Sequence, residues 1–539
     1  MHINKLPEDI LLLIFRREIS PHTCDLDGCV LSPLLVSVCK RWRQIALPLV
    51  YRRLWIAYDI RDYVRQISDN SSGGRALADP PDAVAVSNAR TIAAFGHGHL
   101  VKHVDMVLDY LLNPLIGLEK SLSLLSDYVL AFPNINSVSF TTQRSIIMYD
   151  DSSLEALDIA GQLKRVVGEY ARVMPGITRL QTRGIFMTGV ITGFIGMLAD
   201  TYAGQLTSIL SGCALASVRE SRPFTELARM HVMFDENSSQ GLPVLTARPL
   251  RDLFLKAVPP EYAWTRFCQY DGPADIEFSN LHMLKVSYYD YGLRRAWPAS
   301  DGHNYKLRFP QLQRLTIFDM EDYCPVIQQG EFPPELDYVD ITATGEAVGQ
   351  LCRVKLPKTK HLALEIGLCE APLGTDVFTA ANNASRAAQT SRITVIDISN
   401  MIANIPATFV CPALTHLHSN SMISPDMVLR LVQSLPNLSE LSLSNIDALQ
   451  TLGCAIEPDP KDVCSSIEVL SISFNYMDNM HLEVGIALAW SLLLRLPALQ
   501  SFDAWQIPQA PIDRLAETHH VKYPHLRHIS TRLQSDQLA

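Results

Sequence analysis

One pattern of apolar and polar positions recurs along most of this chain. A proline or small residue is followed by apolar-x-x-apolar-x-apolar. It is plainest at Pro310-Gln-Leu-Gln-Arg-Leu-Thr-Ile, Pro412-Ala-Leu-Thr-His-Leu-His-Ser, Pro436-Asn-Leu-Ser-Glu-Leu-Ser-Leu and Pro497-Ala-Leu-Gln-Ser-Phe-Asp-Ala. Phrases of this form begin at 99, 133, 175, 225, 248, 279, 310, 334, 357, 391, 412, 436, 465, 497 and 524. The alternation that closes each phrase predicts a short strand, with two apolar residues inward and their neighbours outward. Between phrases, helical periodicity predicts helices over 154–173, 426–435 and 483–496. Several of these end at the proline that opens the next phrase. A strand with one helix cannot bury its apolar side alone, so consecutive units must stack.

From 225 onward the phrases are spaced by 21 to 34 residues, around the period of leucine-rich repeats. The array resembles a leucine-rich-repeat solenoid. That resemblance implies an α/β horseshoe over 91–539, irregular before about 225, with parallel strands on a concave face and helices outside. Only Ile467-Glu-Val-Leu-Ser-Ile-Ser-Phe-Asn475 carries the full repeat form ending in asparagine. In most units the turns must therefore be satisfied by other groups.

The first sixty residues are patterned differently. Leu6, Ile10, Leu13 and Ile14 make one apolar helical face, with Pro7 in the first turn and Glu8 and Asp9 at its positive dipole end. Leu34, Val38, Cys39, Trp42 and Ile45 predict a second helix, with Lys40, Arg41 and Arg43 on its other side. So short a helical segment cannot bury a core alone and needs a partner or the rest of the chain. LPEDILLLIF at 6–15, LLVSVCKRWRQIA at 34–46 and RRLWIAY at 52–58 together resemble an F-box. Residues 1–66 are accordingly expected to form a small all-helical module. In that family the module docks on the adaptor subunit of SCF-type ubiquitin ligases and, through it, on a cullin. Carried over by position, the implied adaptor contacts are Leu6, Pro7, Ile10, Ile14, Leu35, Val38, Cys39 and Trp42. The stretch between the two helices, 16–33, is longer than is typical of the motif. Ser, Gly, Pro and Asp dominate 68–82, so 67–90 reads as a linker or mobile loop.

Composition narrows the function classes. Over 539 residues, 47% hydrophobic content with 19% charged residues excludes disorder as the main state. A net charge of -10 removes the electrostatic footprint of general nucleic-acid binding. The start lacks a basic segment followed by an apolar stretch, and 185–199 is too short to span a bilayer, so a membrane role is not expected. The 11 cysteines include no CxxC pair, as expected of reduced thiols in a cytoplasmic or nuclear protein.

The outward strand positions supply the candidate binding chemistry. Units from 225 to 310 present Arg229, His231, Met233, Asp252, Phe254, Lys256, Met283, Lys285, Arg314 and Phe318, a net charge of +3. Units from 334 to 497 present Asp340, Glu365, Asp397, Glu440 and Asp503 with no Lys or Arg, a net charge of -5. Arg229, Phe254, Lys256, Lys285, Arg314 and Phe318 are the candidate contacts for an acidic or phosphorylated client segment. His361, His416, His418 and Glu440 are the best metal candidates, but a ladder of polar strand residues explains them more simply. No P-loop, G-x-S-x-G, HExxH or dinucleotide fingerprint occurs, so neither catalysis nor a cofactor is expected. These features predict a non-catalytic substrate receptor of a ubiquitin ligase. The alternative is a leucine-rich-repeat interaction scaffold without a role in degradation.

Overall fold

The computed structural model describes residues 7, 11, 39–58, 85–108, 114–142, 159–183, 189–211, 224–233, 249–256, 276–287, 306–320, 325–344, 356–369, 381–397, 411–447, 466–475, 482–505, 514, 517 and 528–532. The chain divides into two compact units, Met1–Leu250 with Trp264–Asp271 and Arg251–Ala263 with Gly272–Ala539.

The first unit opens with helix α1, Lys40–Val50. Cys39 caps it, its Sγ accepting from the Trp42 backbone N–H at 3.4 Å. Trp42 and Ile45 are buried, while Lys40, Arg41 and Arg43 are exposed. Strands β1 (Arg53–Tyr58), β2 (Ala85–Ser87), β3 (His103–Leu108), β4 (Ser137–Thr142), β5 (Arg179–Arg183), β6 (Ser208–Leu210) and β7 (Arg229–Met233) follow. From β1 through β3 to β7 each strand pairs in parallel with the next, and β2 pairs antiparallel to the outer side of β1.

Strand β1 corrects the expectation of an all-helical module over 1–66. Leu54 and Ile56 alternate inward and are fully buried, so the stretch satisfies the same phrase ending as the later strands. It therefore joins their sheet, with Leu54 opposite Val104. The expected linker likewise closes early, because β2 and helix α2 (Ala89–Ala94) occupy 85–94.

Helices α3 (Pro114–Asp127), α4 (Ile159–Val173) and α5 (Gly189–Thr201) fill the gaps between β3 and β6. Helix α3 packs on α4, and α4 on α5. Phe140 of β4, Tyr170 of α4 and Phe194 of α5 meet edge-on in the core, with ring centroids 5.3 to 6.2 Å apart. Such edge contacts add about 0.5–1.5 kcal/mol each beyond area burial. The buried hydroxyls are satisfied: Tyr170 donates to the Leu118 carbonyl at 3.1 Å and Tyr202 to that of Met174 at 2.7 Å. Among the described residues no helix is long and apolar enough to cross a membrane.

The second unit carries β8 (Asp252–Lys256), β9 (Ile276–Glu277), β10 (Met283–Ser287), β11 (Leu307–Arg308), β12 (Arg314–Met320), β13 (Gly330–Glu331) and β14 (Leu336–Thr344). It continues with β15 (Thr359–Cys369), β16 (Ala388–Asp397), β17 (Leu414–Ser419), β18 (Glu440–Asp447), β19 (Val469–Asn475), β20 (Ser501–Trp505) and β21 (His528–Arg532). Strands β8, β10, β12 and β14 to β21 form one parallel ladder in that order. The short strands β9, β11 and β13 make a separate parallel sheet. Beside it Phe278, Phe309 and Phe332 stack at 5.5 and 5.7 Å between centroids. Each of three successive units thus adds one ring to a continuous pile. Helices α6 (Pro325–Gln329), α7 (Pro425–Ser434) and α8 (Leu482–Arg495) lie between strands of the large ladder. The mixed α/β class and the stacked parallel strands are as the repeating phrase predicts.

Register shows the repeat directly. Leu54, Val104, Val138, Leu180, Ile209 and Met230 face one another across the first sheet. Leu253, Leu284, Leu315, Val339 and Leu362 do so in the second, as do Leu417, Leu441, Leu470, Phe502 and Ile529. Two units absent from the phrase alignment, β1 and β6, belong to the array. In a third the phase differs. Strand β16 begins at Ala388, Ile393 pairs with Leu417 and Val395 is buried, so the phrase start at 391 is several residues late.

Three turns are satisfied by side-chain amides, two of them one residue past a phrase start and the third, Gln205, just before β6. Asn134 Nδ2 donates to the His99 carbonyl, Gln205 Nε2 to that of Pro175, and Asn437 Nδ2 to that of Pro412, each at 2.7 Å. Every acceptor is the first residue of the preceding phrase. Where the phrase ending places hydroxyls inward, they pair: Thr182 and Ser211 are both buried and lie 3.1 Å apart.

Candidate interaction site

The candidate client contacts arise from strand alternation in the second unit. Across β8, β10, β12 and β14, the register aligns Phe254, Lys285, Thr316 and Asp340 in one row on the half-exposed side of the sheet. The Lys285 Nζ lies 4.8 Å from the Phe254 ring centroid and 4.5 Å from that of Phe318. Two aromatic faces therefore hold one ammonium, an arrangement worth roughly 0.5–2 kcal/mol per face depending on desolvation. Arg314 is exposed one row away, between Met283 and Tyr338, and Lys256 is exposed at the end of β8. Five of the six candidate residues thus share three neighbouring strands. Arg229 is exposed on β7 of the first unit and is not part of this group.

The next strands turn acidic. Burial raises the Asp340 carboxyl above its ordinary range, the Glu365 charge raises it further, and Lys285 only partly offsets them. Farther along, His416 Nε2 lies 3.6 Å from Glu440 Oε2, and its Nδ1 lies 2.8 Å from Thr415 Oγ1. His361 Nδ1 contacts Thr390 Oγ1 at 2.7 Å. Among the described residues no three His, Cys, Asp or Glu side chains are grouped to hold a metal ion.

The charge division needs one correction. Because β16 starts early, its outward residues are Arg392 and Thr394 rather than the position assigned to Asp397. Arg392 is exposed, opposite Ala363 and His416. A cation therefore interrupts the segment predicted to carry none. The cause is Ser391, which is buried at an inward position where the phrase has an apolar residue, so that Arg392 next to it faces outward.

Of the adaptor candidates, Pro7 is exposed, Cys39 is half-buried as the cap of α1, and Trp42 is buried at 8% exposure. Leu6, Ile10, Ile14, Leu35 and Val38 lie outside the described residues, as does the longer stretch 16–33 between the predicted helices.

The first unit carries a polar group of its own on β1, β3 and β4. Asp105 is the centre. Arg53 Nε lies 3.0 Å from its Oδ2, and His103 Nε2 and Ser139 Oγ lie 2.8 and 2.5 Å from its Oδ1. Burial alone would raise the carboxyl. The His103 hydrogen bond and charge, the Arg53 charge and the Ser139 hydrogen bond outweigh it and lower Asp105 to about 2. The signal was present in the sequence: His103 and Asp105 are the outward residues of the phrase starting at 99, and Ser137 and Ser139 those of the phrase starting at 133.

No protein-family model matches this chain, and no curated protein sequence matches it.

Proposed function

We propose that the protein is the substrate-recognition subunit of an SCF-type ubiquitin ligase. Its N-terminal segment recruits the adaptor and cullin, and its leucine-rich-repeat horseshoe holds a client near the ubiquitin donor. Rate enhancement then comes from proximity and is supplied in trans. The observation that carries the client half of this reading is the cationic, aromatic-lined row on β8, β10 and β12, where Phe254 and Phe318 flank Lys285 and Arg314 stands exposed beside them. Such a surface suits an acidic segment with an apolar side chain. The adaptor half rests on the ordered F-box-like sequence at 6–15, 34–46 and 52–58.

Co-purification tests the assignment. The intact chain is expected to bring down an adaptor and a cullin, and Leu6→Ala with Ile10→Ala to lose both while the protein stays folded. A folded chain that recruits neither reduces the protein to the scaffold reading.

A further inference from the structure

The polar group on β3 and β4 has an order that a mere surface ladder does not require. His103 and Asp105 point to the same side of β3, and the register sets them opposite Ser137 and Ser139 of β4. His103 Nε2 lies 2.8 Å from Asp105 Oδ1, and His103 Nδ1 lies 2.8 Å from Ser137 Oγ. Asp105 is anionic at neutral pH and only accepts, so in the neutral imidazole the hydrogen sits on Nε2. Nδ1 is then the basic nitrogen, and the Ser137 hydroxyl donates to it. Arg53 and Ser139 pin Asp105 from two further sides, so the imidazole plane is held from behind. The side chain of His103 is 14% exposed and that of Asp105 20%, while Arg179 of β5, opposite Ser137 in register, is exposed.

We propose that Ser137, His103 and Asp105 form a nucleophile, general base and positioning residue that act on carboxylic esters. This activity is separate from adaptor and client binding. The constellation has the roles of a serine-hydrolase relay with the two ring nitrogens exchanged. Ser137 Oγ bonds to the acyl carbon as its proton passes to His103 Nδ1. The ester C–O bond breaks and the departing alkoxide takes that proton. Water, deprotonated by the same nitrogen, then attacks the acyl carbon; the carboxylic acid leaves and the proton returns to Ser137. Arg179, exposed and opposite Ser137 in register, favours substrates with a negative charge on the acyl group. No Gly-x-Ser-x-Gly turn is needed, because two adjacent parallel strands already present the serine and the histidine side by side.

The test uses the full-length protein with an alkyl fluorophosphonate, followed by peptide mapping, and with p-nitrophenyl acetate. Attack on the fluorophosphonate forms an Oγ–P bond and expels fluoride. Ser137 is expected to be modified about 100-fold or more faster than Ser139, in keeping with a positioned general base. The same protein should release p-nitrophenol. Ser137→Ala and His103→Gln should abolish both signals while circular dichroism and melting temperature show the fold retained. Asp105→Asn should move the acid limb of the rate–pH profile, which a purely structural role would leave in place. The charges that face the imidazole in that profile are Arg53 on β1, Asp105 on β3 and Arg179 on β5. Unmodified Ser137 in the folded protein, or equal modification in His103→Gln, overturns the proposal. Labelling without p-nitrophenol release overturns the assignment to esters.

Discussion

Asp105 and Asp340 occupy equivalent outward positions in their strands, yet their surroundings move their titrations in opposite directions. Asp105 is lowered from 3.8 to about 2, so its contribution to stability is complete above the unfolded value and is lost as pH falls from about 4 to about 2. The shift corresponds to about 2 kcal/mol at neutral pH. Asp105→Asn should therefore lower stability at pH 7 by that order and flatten the acid limb between pH 4 and 2, as read by urea denaturation across pH. Asp340 is raised by burial and by Glu365. Its charged form opposes folding above the raised value, and the opposition fades as pH falls toward the unfolded value. Asp340→Asn should accordingly raise the melting temperature at pH 7 to 8, and the gain should vanish near pH 3. A gain that is constant with pH would assign the effect to packing instead.

At the scale of elements, β1 is the instructive case. The phrase alignment starts at 99, yet Leu54 and Ile56 are fully buried beside Val104 and Met106. The backbone N–H groups of Lys102 and His103 both donate to the Arg52 carbonyl. A chain lacking 1–66 would lose this strand, leave the apolar edge of β3 open and strand Asp105 without Arg53. It is expected to aggregate or to melt well below the intact protein. A chain lacking 1–38 retains α1 and β1 and gives up one buried apolar residue among the described ones, Leu11, so it should melt closer to the intact protein than the longer truncation, as sedimentation and thermal melting would show. Comparable behaviour of the two truncations would place β1 outside the cooperative unit.

The same scale shows what was legible in the sequence. Helices α7 and α8 fall within one residue of the spans that periodicity predicts, and α4 ends at the expected Val173, because an amphipathic face repeats over ten or more positions. Strands of five residues offer fewer positions, so their phase rests on two or three side chains. At 391, Ser391 occupies an inward position that an apolar residue usually marks, and the phase slips. Its hydroxyl, 2.7 Å from that of Ser385, takes the place of an apolar contact. At β6 the pattern is only three residues long, and Ser211 again stands inward. The cation pair of rings around Lys285 was legible as three outward residues, but not as a contact. That required the register in which Lys285 sits directly opposite Phe254. The outward positions of Ser137, His103 and Asp105 are legible in the sequence but their contact is not, because His103 and Ser137, 34 residues apart, touch only through the strand pairing.

At the scale of the whole molecule, the two proposed functions, client and adaptor binding, should have separable determinants, because what matters is where the charge sits and not its sum of -10. The cations of the proposed client surface, Lys256, Lys285 and Arg314, all lie on β8, β10 and β12, far along the sequence from the residues proposed to bind the adaptor. Reversing these three to glutamate should abolish client capture and leave adaptor recruitment unchanged, because no F-box-like residue is altered. Lys285 is also held by two rings, so Lys285→Met, which keeps the apolar stem between Phe254 and Phe318, separates lost charge from lost packing. Electrostatic capture must weaken with salt, since exposed charges are screened over about 8 Å at physiological ionic strength. Client retention measured at low, physiological and high salt should therefore fall steeply for the natural chain. It should be absent at every salt concentration for the reversed one, whereas adaptor retention, built on apolar residues, should hardly change. Client retention that is insensitive both to salt and to these substitutions would move the recognition surface away from this row.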